Sequence, residues 1–143
     1  MRFACPISAG RFLESYGAPG LDSPRKNVVR RYIDGFNRLD EAQVKSCLSE
    51  SMRWTLFGHF QITGKSKQHK QINGLPDCEG PPRITIRHLV EEGETIMAEL
   101  FCELDRKDGS VMRLAMAEVY IFEDDLIAER RAFATPLVEN AFR

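Results

Sequence analysis

Four side chains able to donate or move a proton occur where the sequence pattern places them around one interior. Tyr32 lies among apolar residues that recur at helical spacing, so its ring is expected to point into the core. Glu118 and Arg130 lie on two segments with strand periodicity. Pairing these segments about a three-residue turn sets the carboxylate opposite the guanidinium. His59 follows Gly58 at the end of a shorter predicted strand, where an imidazole could act as an acid or a base near neutral pH.

Each of these residues also has a structural interpretation. A helix-face tyrosine often only packs, and a histidine in a loop is commonly just exposed to solvent. Pairing the strand over 95–105 around Asp108-Gly109 is expected to bring Glu99 near Glu118, so that two acids share one arginine. If Arg130 pairs closely with Glu118, the pair is structural; if Arg130 turns to solvent, one of the glutamates holds a proton near neutrality. The residues alone leave both alternatives open.

Apolar side chains are expected around the polar groups. The same strand pairing sets Phe101 near Met116, and Tyr120 lies on the strand face that carries Glu118. Trp54, on the first predicted strand, is expected to join them. These four side chains therefore predict one apolar cavity between the first helix and the sheet.

The elements that position these groups can be read from capping residues and periodicity. Ser23-Pro24 predicts the start of a helix that runs to about Arg38, and Asp40 with Gln43 predicts a short second helix. Ser66 predicts a third helix that ends near Asn73-Gly74, before a loop over residues 75–82. The predicted strands cover about 52–56, 83–90, 95–105, 110–122 and 126–134. Helices followed by an antiparallel meander indicate an α+β fold.

Length and composition bound the remaining possibilities. The chain has 143 residues and a formal net charge of −1, which predicts one domain over 23–143 after an irregular arm over 1–22 and gives no sign of nucleic-acid binding. No apolar run is long enough for a membrane helix. The four cysteines show no zinc spacing, and we expect a cytoplasmic protein with free thiols and no metal or organic cofactor.

The second face of the predicted sheet is also apolar. Val119, Ile121, Ile127 and Phe133 alternate away from the face that carries Glu118. Because helices cover only one face of a sheet in a small α+β domain, we expect a second copy of the chain to cover the other. A homodimer is the predicted assembly.

The sequence resembles the nuclear transport factor two superfamily, which includes SnoaL-type polyketide cyclases and ketosteroid isomerases. The similarity covers about residues 24–136 and implies a cone-shaped, cystatin-like α+β barrel with three N-terminal helices on a curved, mainly antiparallel sheet, usually in a dimer. The segments that carry it are VVRRYIDGFNRLD at 28–40, MRW at 52–54 with Gly58 and Gly64, HLVEEGE at 88–94, VYIF at 119–122 and LIAERR at 126–131.

The resemblance also implies roles for particular residues. In ketosteroid isomerase a tyrosine and a protonated acid donate to an enolate oxygen while another carboxylate moves the proton. Tyr32 matches that tyrosine, Glu118 lies near the protonated acid, and Leu56 occupies the place of the base. The implied catalytic set is Tyr32, Glu118 and His59, and the implied substrate-binding set is Trp54, Leu56, Phe101, Met116, Tyr120 and Arg130.

The implied function is the binding of a small, mainly apolar organic molecule in the cone, with acid–base chemistry of the isomerase, cyclase or dehydratase type. The alternative is a non-catalytic module for ligand binding or dimerisation. Leu56 at the position of the base favours the alternative, because a leucine cannot accept a proton. A continuous pocket would favour the enzyme, and an interior filled by side chains would favour the module.

Overall fold

Two α-helices and six strands form the part of the chain that this computed structural model describes, residues 23–68 and 76–138. The helices and strands are α1 (Pro24–Asn37), α2 (Glu41–Ser46), β1 (Leu48–Leu56), β2 (Phe60–Thr63), β3 (Cys78–Glu92), β4 (Thr95–Arg106), β5 (Val111–Glu123) and β6 (Leu126–Leu137). The predicted α+β class is confirmed. Neither of the described helices is long and apolar enough to span a membrane. The predicted arm over 1–22 lies outside the described residues.

The six strands form one mixed sheet in the order β2-β1-β6-β5-β4-β3. Only the β1–β6 pair is parallel; the other neighbours are antiparallel, as the sequence predicts for most of the sheet. The face that α1 and α2 cover is called the inner face here and carries Trp54, Leu100, Glu118 and Tyr120. The opposite, outer face carries Met97 and Phe133, which are about half exposed.

The helices begin where their caps predict. The Ser23 hydroxyl accepts a hydrogen bond from the Lys26 amide at 3.1 Å, and the Asp40 carboxylate accepts one from the Gln43 amide at 2.9 Å. The buried face of α1 includes Tyr32, which confirms its predicted inward orientation. The predicted third helix is reduced to a single 3₁₀ turn at Lys65–Lys67 within the described residues. Its remaining positions from 69 onwards lie outside them.

Helix α1 is tied to the sheet at both ends. At its C-terminal end the Asn37 side chain donates to the Ile84 carbonyl at 2.9 Å and accepts from the Ile84 amide at 2.7 Å. At its N-terminal end Arg25 donates to the Gly93 carbonyl at 2.8 Å. Because β3 is an edge strand, it tolerates Pro81 and Pro82, which lack an N–H for pairing. The predicted loop over residues 75–82 is therefore wrong from Cys78 onwards.

The register of the last hairpin differs from the prediction. The turn is Asp124-Asp125 rather than three residues, and one extra residue, Ala128, bulges out of β6. Tyr120 therefore lies opposite Arg130, and Glu118 lies opposite Ala132. A bulge shifts the alternation of side chains by one position. Ile127, predicted for the outer face, consequently pairs with Phe122 and is fully buried in the core.

The hairpin between β4 and β5 also differs by one residue. Residues 107–110 connect the strands, with Gly109 at a φ of 85° and the Arg106 amide donating to the Ser110 carbonyl at 2.8 Å. Glu118 therefore pairs with Ala98, and Met116 pairs with Leu100. A shift of one residue moves a side chain to the other face. The predicted pairs of Glu99 with Glu118 and of Phe101 with Met116 are wrong.

Gly35 marks the closest approach of the two helices and gives the first prediction. A Cβ atom at residue 35 would lie 2.7 Å from Cγ2 of Val44 and 3.2 Å from its backbone nitrogen. Replacing glycine by alanine inside a helix stabilises it by about 1 kcal/mol, whereas overpacking costs about 1–3 kcal/mol. We expect Gly35→Ala to lower the free energy of unfolding by about 1 kcal/mol, measured by urea denaturation. The exposed Asn27→Ala on the same helix is the control and should change it little. A Gly35→Ala variant more stable than the wild type would contradict the packing.

Candidate functional site

A buried arginine lies at the centre of the inner face. Arg130, on β6, is 3% exposed and pairs with Glu118 of β5, which is fully buried. Its Nε donates to Glu118 Oε2 at 2.9 Å, and its Nη2 donates to Oε1. The pair is thus bidentate, although Glu118 stands opposite Ala132 rather than Arg130. Of the two alternatives left open by the sequence, the structure shows the close ion pair.

Two buried tyrosines complete this charged cluster, defined here as Tyr32, Glu118, Tyr120 and Arg130. The Tyr120 hydroxyl donates to Glu118 Oε2, and Arg130 Nη1 donates to the Tyr32 hydroxyl at 3.0 Å. The two tyrosine rings meet edge to face, with centroids 5.8 Å apart. Because Tyr32 belongs to α1, the cluster connects that helix to two strands through polar contacts.

Three aromatic rings also lie against the guanidinium of Arg130. Its Cζ atom lies 4.2 Å from the centroid of the Trp54 ring, 5.3 Å from that of Phe36 and 5.4 Å from that of Tyr32. The Trp54 ring is itself in edge contact with Phe36 and Phe60. A cation over an aromatic face is attracted by the negative face of the ring, and more strongly where water is excluded. Arg130 therefore keeps its charge in a site without solvent.

The environment fixes the protonation of the cluster at neutral pH. Burial raises the pKa of Tyr32 to about 12, although the Arg130 charge opposes the shift. Burial, followed by the Glu118 charge, raises the pKa of Tyr120 well above its usual value. For Arg130, burial lowers the pKa, but Glu118 more than offsets that effect and the net direction is upward. Both tyrosines are therefore neutral hydroxyls and Arg130 is a cation.

Among the described residues the Tyr32 proton has no acceptor, whereas each carboxylate oxygen of Glu118 accepts at least one hydrogen bond. Both oxygens of Glu118 accept from Arg130, and one also accepts from Tyr120. The Tyr32 oxygen accepts from Arg130, but no acceptor for its own proton lies among residues 23–68 and 76–138. A neutral donor in a dry, prearranged site is suited to bind an oxygen atom or to stabilise negative charge that develops on it.

The structure brings together only part of the predicted site. Tyr32, Trp54, Glu118, Tyr120 and Arg130 are in contact on the inner face. The other predicted residues on this face, Leu56 and Met116, are half-buried. No group of side chains able to hold a metal ion occurs in the described part of the chain.

Two predicted site residues lie elsewhere. Phe101 is on the outer face beneath Arg87, whose Cζ atom is 5.0 Å from the ring centroid, and it lines an outer cleft of about 690 Å³. His59 is exposed in the turn between β1 and β2. Glu99 is also on the outer face, where His88 Nδ1 lies 2.5 Å from its Oε2. These residues do not reach the charged cluster.

Two aromatic members of the site were missed at the sequence level. Phe36, an apolar residue of α1, also lies against Arg130. Phe60 belongs to β2, a four-residue strand that was not predicted. The alternation of Phe60 and Ile62 with Gln61 and Thr63, directly after Gly58, is the signal that identifies this strand.

Coverage of the inner face changes from one side of the cluster to the other. On the side of α2 and the β5–β6 turn, Leu48, Phe122 and Ile127 are buried. On the other side Leu100, Cys102 and Leu104 of β4 are also buried, but several of their apolar neighbours are only half-buried, and we call this half-buried set the open end. It comprises Leu56, Ile84, Ile86, Leu114, Met116 and Ala134. The inner face on this side of the cluster is therefore less completely covered than the core beside α2.

Comparison with known proteins identifies relatives of this fold. A family model described as the SnoaL-like domain matches residues 29–130. Among curated protein sequences no significant match was found. Three solved structures illustrate the structural likeness, each with a TM-score well above that of unrelated folds.

An LEH-like epoxide hydrolase of M. tuberculosis has a TM-score of 0.69 at 14% identity, covering 78% of this chain and 83% of that one. A putative ketosteroid isomerase from Kribbella flavida has a TM-score of 0.65 at 20% identity, covering 81% of each chain. An epoxide hydrolase/cyclase-like enzyme of pyran ring formation in the polyether salinomycin has a TM-score of 0.69 at 19% identity, and the match covers 78% of this chain and 90% of that one. At these identities the likeness shows the fold alone, and it confirms the predicted cone-shaped architecture.

The buried ion pair gives the second prediction. Glu118→Gln should lower the free energy of unfolding by about 3–5 kcal/mol, because it leaves Arg130 buried without an anion. Removing both charges in Glu118→Leu/Arg130→Met should recover at least half of that loss, since apolar side chains replace a buried pair at little cost. Guanidinium denaturation measures both.

The chain provides a matched control for this experiment. Arg83 and Asp105 form another bidentate pair, with contacts of 2.8 and 2.9 Å, but both side chains are half exposed. Asp105→Asn should therefore lower the free energy of unfolding much less than Glu118→Gln does. If Glu118→Gln and Asp105→Asn lowered the free energy of unfolding equally, Glu118 and Arg130 would not be a desolvated pair.

Proposed function

The chain belongs to the SnoaL-like domain family of the nuclear transport factor two-like superfamily, and from that premise we propose that it binds a small, mainly apolar organic molecule against the inner face of its sheet. The molecule carries an oxygen that accepts the proton of the Tyr32 hydroxyl. The observation that carries this proposal is the free donor of Tyr32, held by Arg130 in a dry site.

Charge supports the choice of a neutral ligand. The guanidinium of Arg130 is already balanced by Glu118, so the cluster has no net charge to offer a second anion. Tyr32, with its raised pKa, stays a neutral donor across the physiological range. A hydrogen bond from such a group is suited to a polarised but uncharged oxygen.

The open end provides an apolar surface against which the body of the ligand would pack. Leu56, Met116 and Ala134 are half-buried beside the cluster, so a ligand placed there removes further apolar surface from water. Sites for small organic ligands are typically lined by apolar side chains with a few polar groups that fix orientation. Tyr32 and Arg130 supply the polar groups, and the half-buried residues supply the wall.

Chemistry of the isomerase, cyclase or dehydratase type would use Tyr32 to stabilise negative charge on the ligand oxygen. The proton-moving group is then the open question of the mechanism. Glu118 has both oxygens occupied, and we propose that it positions Arg130 rather than moving a proton. Leu56 has no proton to exchange, and His59, exposed in the turn after β1, is a candidate acid or base only for a part of the ligand that extends beyond the charged cluster.

The second candidate function is a non-catalytic binding module of the same fold. Two observations favour it: leucine occupies position 56, and the carboxylate of Glu118 is fully engaged by Arg130 and Tyr120. Such a module uses the same inner site and the same Tyr32 donor. Turnover of a bound compound, and not its affinity, separates the two candidates.

The outer face supports a proposed homodimer. Val90, Met97, Phe57 and Phe133 are 61%, 54%, 48% and 49% exposed. The rings of Phe57 and Phe133 stack on each other with centroids 4.6 Å apart. A set of large apolar side chains exposed on one sheet face is typical of an interface, and a second copy of the chain is the simplest partner.

The proposed location is the cytoplasm. Cys47, Cys78 and Cys102 are all free thiols in the described residues. Burial raises the pKa of Cys102 to about 11, which keeps it an unreactive thiol. Free cysteines of this kind are typical of proteins in a reducing compartment.

The ligand site gives the third prediction. Tyr32→Phe and Tyr120→Phe each remove one buried hydroxyl, but only Tyr32 has a donor free for a ligand. We expect Tyr32→Phe to weaken the binding of apolar ketones by about threefold to tenfold, from the loss of one hydrogen bond, and Tyr120→Phe to change it by less than about twofold. Quenching of Trp54, the only tryptophan, measures binding of camphor, menthone and acetophenone.

Two results would contradict the assignment. Equal effects of the two variants on ketone binding would show that Tyr32 is only part of the core. Failure of every ketone to bind the wild type would remove the proposed inner site. Thermal unfolding of both variants controls for stability, since each loses one hydrogen bond to a charged group, worth about 1.5–3 kcal/mol.

The outer face gives the fourth prediction. Met97→Lys places a charge in the middle of the proposed interface and should convert a wild-type dimer into a monomer, as measured by sedimentation at micromolar concentration. Asn27→Lys, on the exposed side of α1, adds the same charge away from that face and should leave the dimer intact. A monomeric wild type would end the proposal.

A further inference from the structure

The indole nitrogen of Trp54 is an unsatisfied buried donor. The residue is 6% exposed, and its Nε1 has no hydrogen-bond partner among the described residues. Buried polar groups are nearly always paired, because a donor that loses its hydrogen bond to water without a replacement destabilises the fold. An unpaired donor beside a candidate ligand site therefore calls for an acceptor that the folded chain itself does not supply.

Packing prevents the Trp54 ring from turning to bring its unpaired Nε1–H into contact with solvent. The Trp54 ring meets Phe60 edge to face at a centroid distance of 5.1 Å and Phe36 at 6.0 Å. One face of the ring covers the Arg130 guanidinium at 4.2 Å. A rotation that exposed Nε1 to solvent would break these three contacts. The donor is thus held in place, as the donors of a prearranged binding site are.

Arg130 places this donor beside the one already assigned to the ligand. The same guanidinium donates to the Tyr32 hydroxyl at 3.0 Å and lies against the Trp54 ring. Tyr32 O–H and Trp54 Nε1–H therefore belong to one small region, and both lack an acceptor among residues 23–68 and 76–138. Both carboxylate oxygens of Glu118, the acceptors within the cluster, are already occupied.

We propose that Trp54 is a second ligand donor and makes the site selective for neutral oxygens that accept but do not donate a hydrogen bond: carbonyls, ethers or epoxides rather than alcohols. This inference rests on the proposed binding function. An alcohol placed at the same point brings a proton for which the cluster offers only a carboxylate already engaged by Arg130 and Tyr120, so that proton competes with the ion pair or stays unpaired and affinity falls. Trp54 thus contributes to specificity by adding a second donor beside that of Tyr32.

Nuclear magnetic resonance tests the donor directly, without a variant. The chain has a single tryptophan, so one indole N–H signal reports on this group. Saturating camphor should shift that proton downfield and slow its exchange with solvent, as a new hydrogen bond requires. Camphane, which has the same cage without the oxygen, is the control. An identical response to camphor and camphane would overturn the assignment of Trp54.

Affinities of matched ketones and alcohols test the selectivity. Calorimetry compares camphor with borneol, menthone with menthol and acetophenone with α-methylbenzyl alcohol. We expect each ketone that binds to bind about fivefold to a hundredfold more tightly than its alcohol, and Trp54→Phe, which keeps an aromatic face for Arg130, to reduce that ratio.

The outcomes separate this inference from the function on which it rests. If no compound of the three pairs binds, the proposed inner site fails. If ketones and alcohols bind equally, the site stands and the selectivity fails. If the ratio in Trp54→Phe equals that of the wild type while circular dichroism shows a native fold, the selectivity stands but Trp54 is not its cause, which overturns the inference.

Discussion

The desolvated charge of Arg130 is the constraint on which the inner side of the sheet depends. A guanidinium that is 3% exposed has lost nearly all of its hydration, at a cost of several kcal/mol. The chain offsets that cost with the bidentate Glu118 pair and with three aromatic rings within 5.4 Å of Cζ. Since these partners come from α1, β1 and β5, and Arg130 itself lies on β6, satisfying one charge fixes the positions of four elements relative to one another.

The same arrangement explains why the interior is suited to bind an oxygen. Both oxygens of Glu118 accept hydrogen bonds from Arg130. Two donors at this site, the Tyr32 hydroxyl and the Trp54 indole N–H, then have no acceptor among the described residues. The structural pair and the proposed ligand site are therefore not alternatives, as they seemed when each residue was considered alone. The ion pair is what makes the remaining side chains donors without acceptors.

Residue patterns predicted the parts of this account that depend on local sequence. The caps at Ser23 and Asp40 and the inward face of α1 follow from periodicity and side-chain chemistry, whereas Glu118 and Arg130 meet diagonally and not through the predicted register. Positions that depend on loop geometry did not follow. The bulge at Ala128 and the connection over residues 107–110 each shift side chains by one position, and period-two reasoning has no means of detecting such a shift. That shift is why Ile127 lies in the core and why Phe101 and Glu99 lie on the outer face.

The most direct test of the inner site is a crystal structure of the protein grown with para-bromoacetophenone, in which anomalous scattering from bromine locates the ligand. The account predicts a bromine peak at the open end, with the ketone oxygen at hydrogen-bond distance, about 3 Å, from the Tyr32 hydroxyl and Trp54 Nε1. A peak found only in the outer cleft beside Phe101, with side chains filling the space around Arg130, would contradict it.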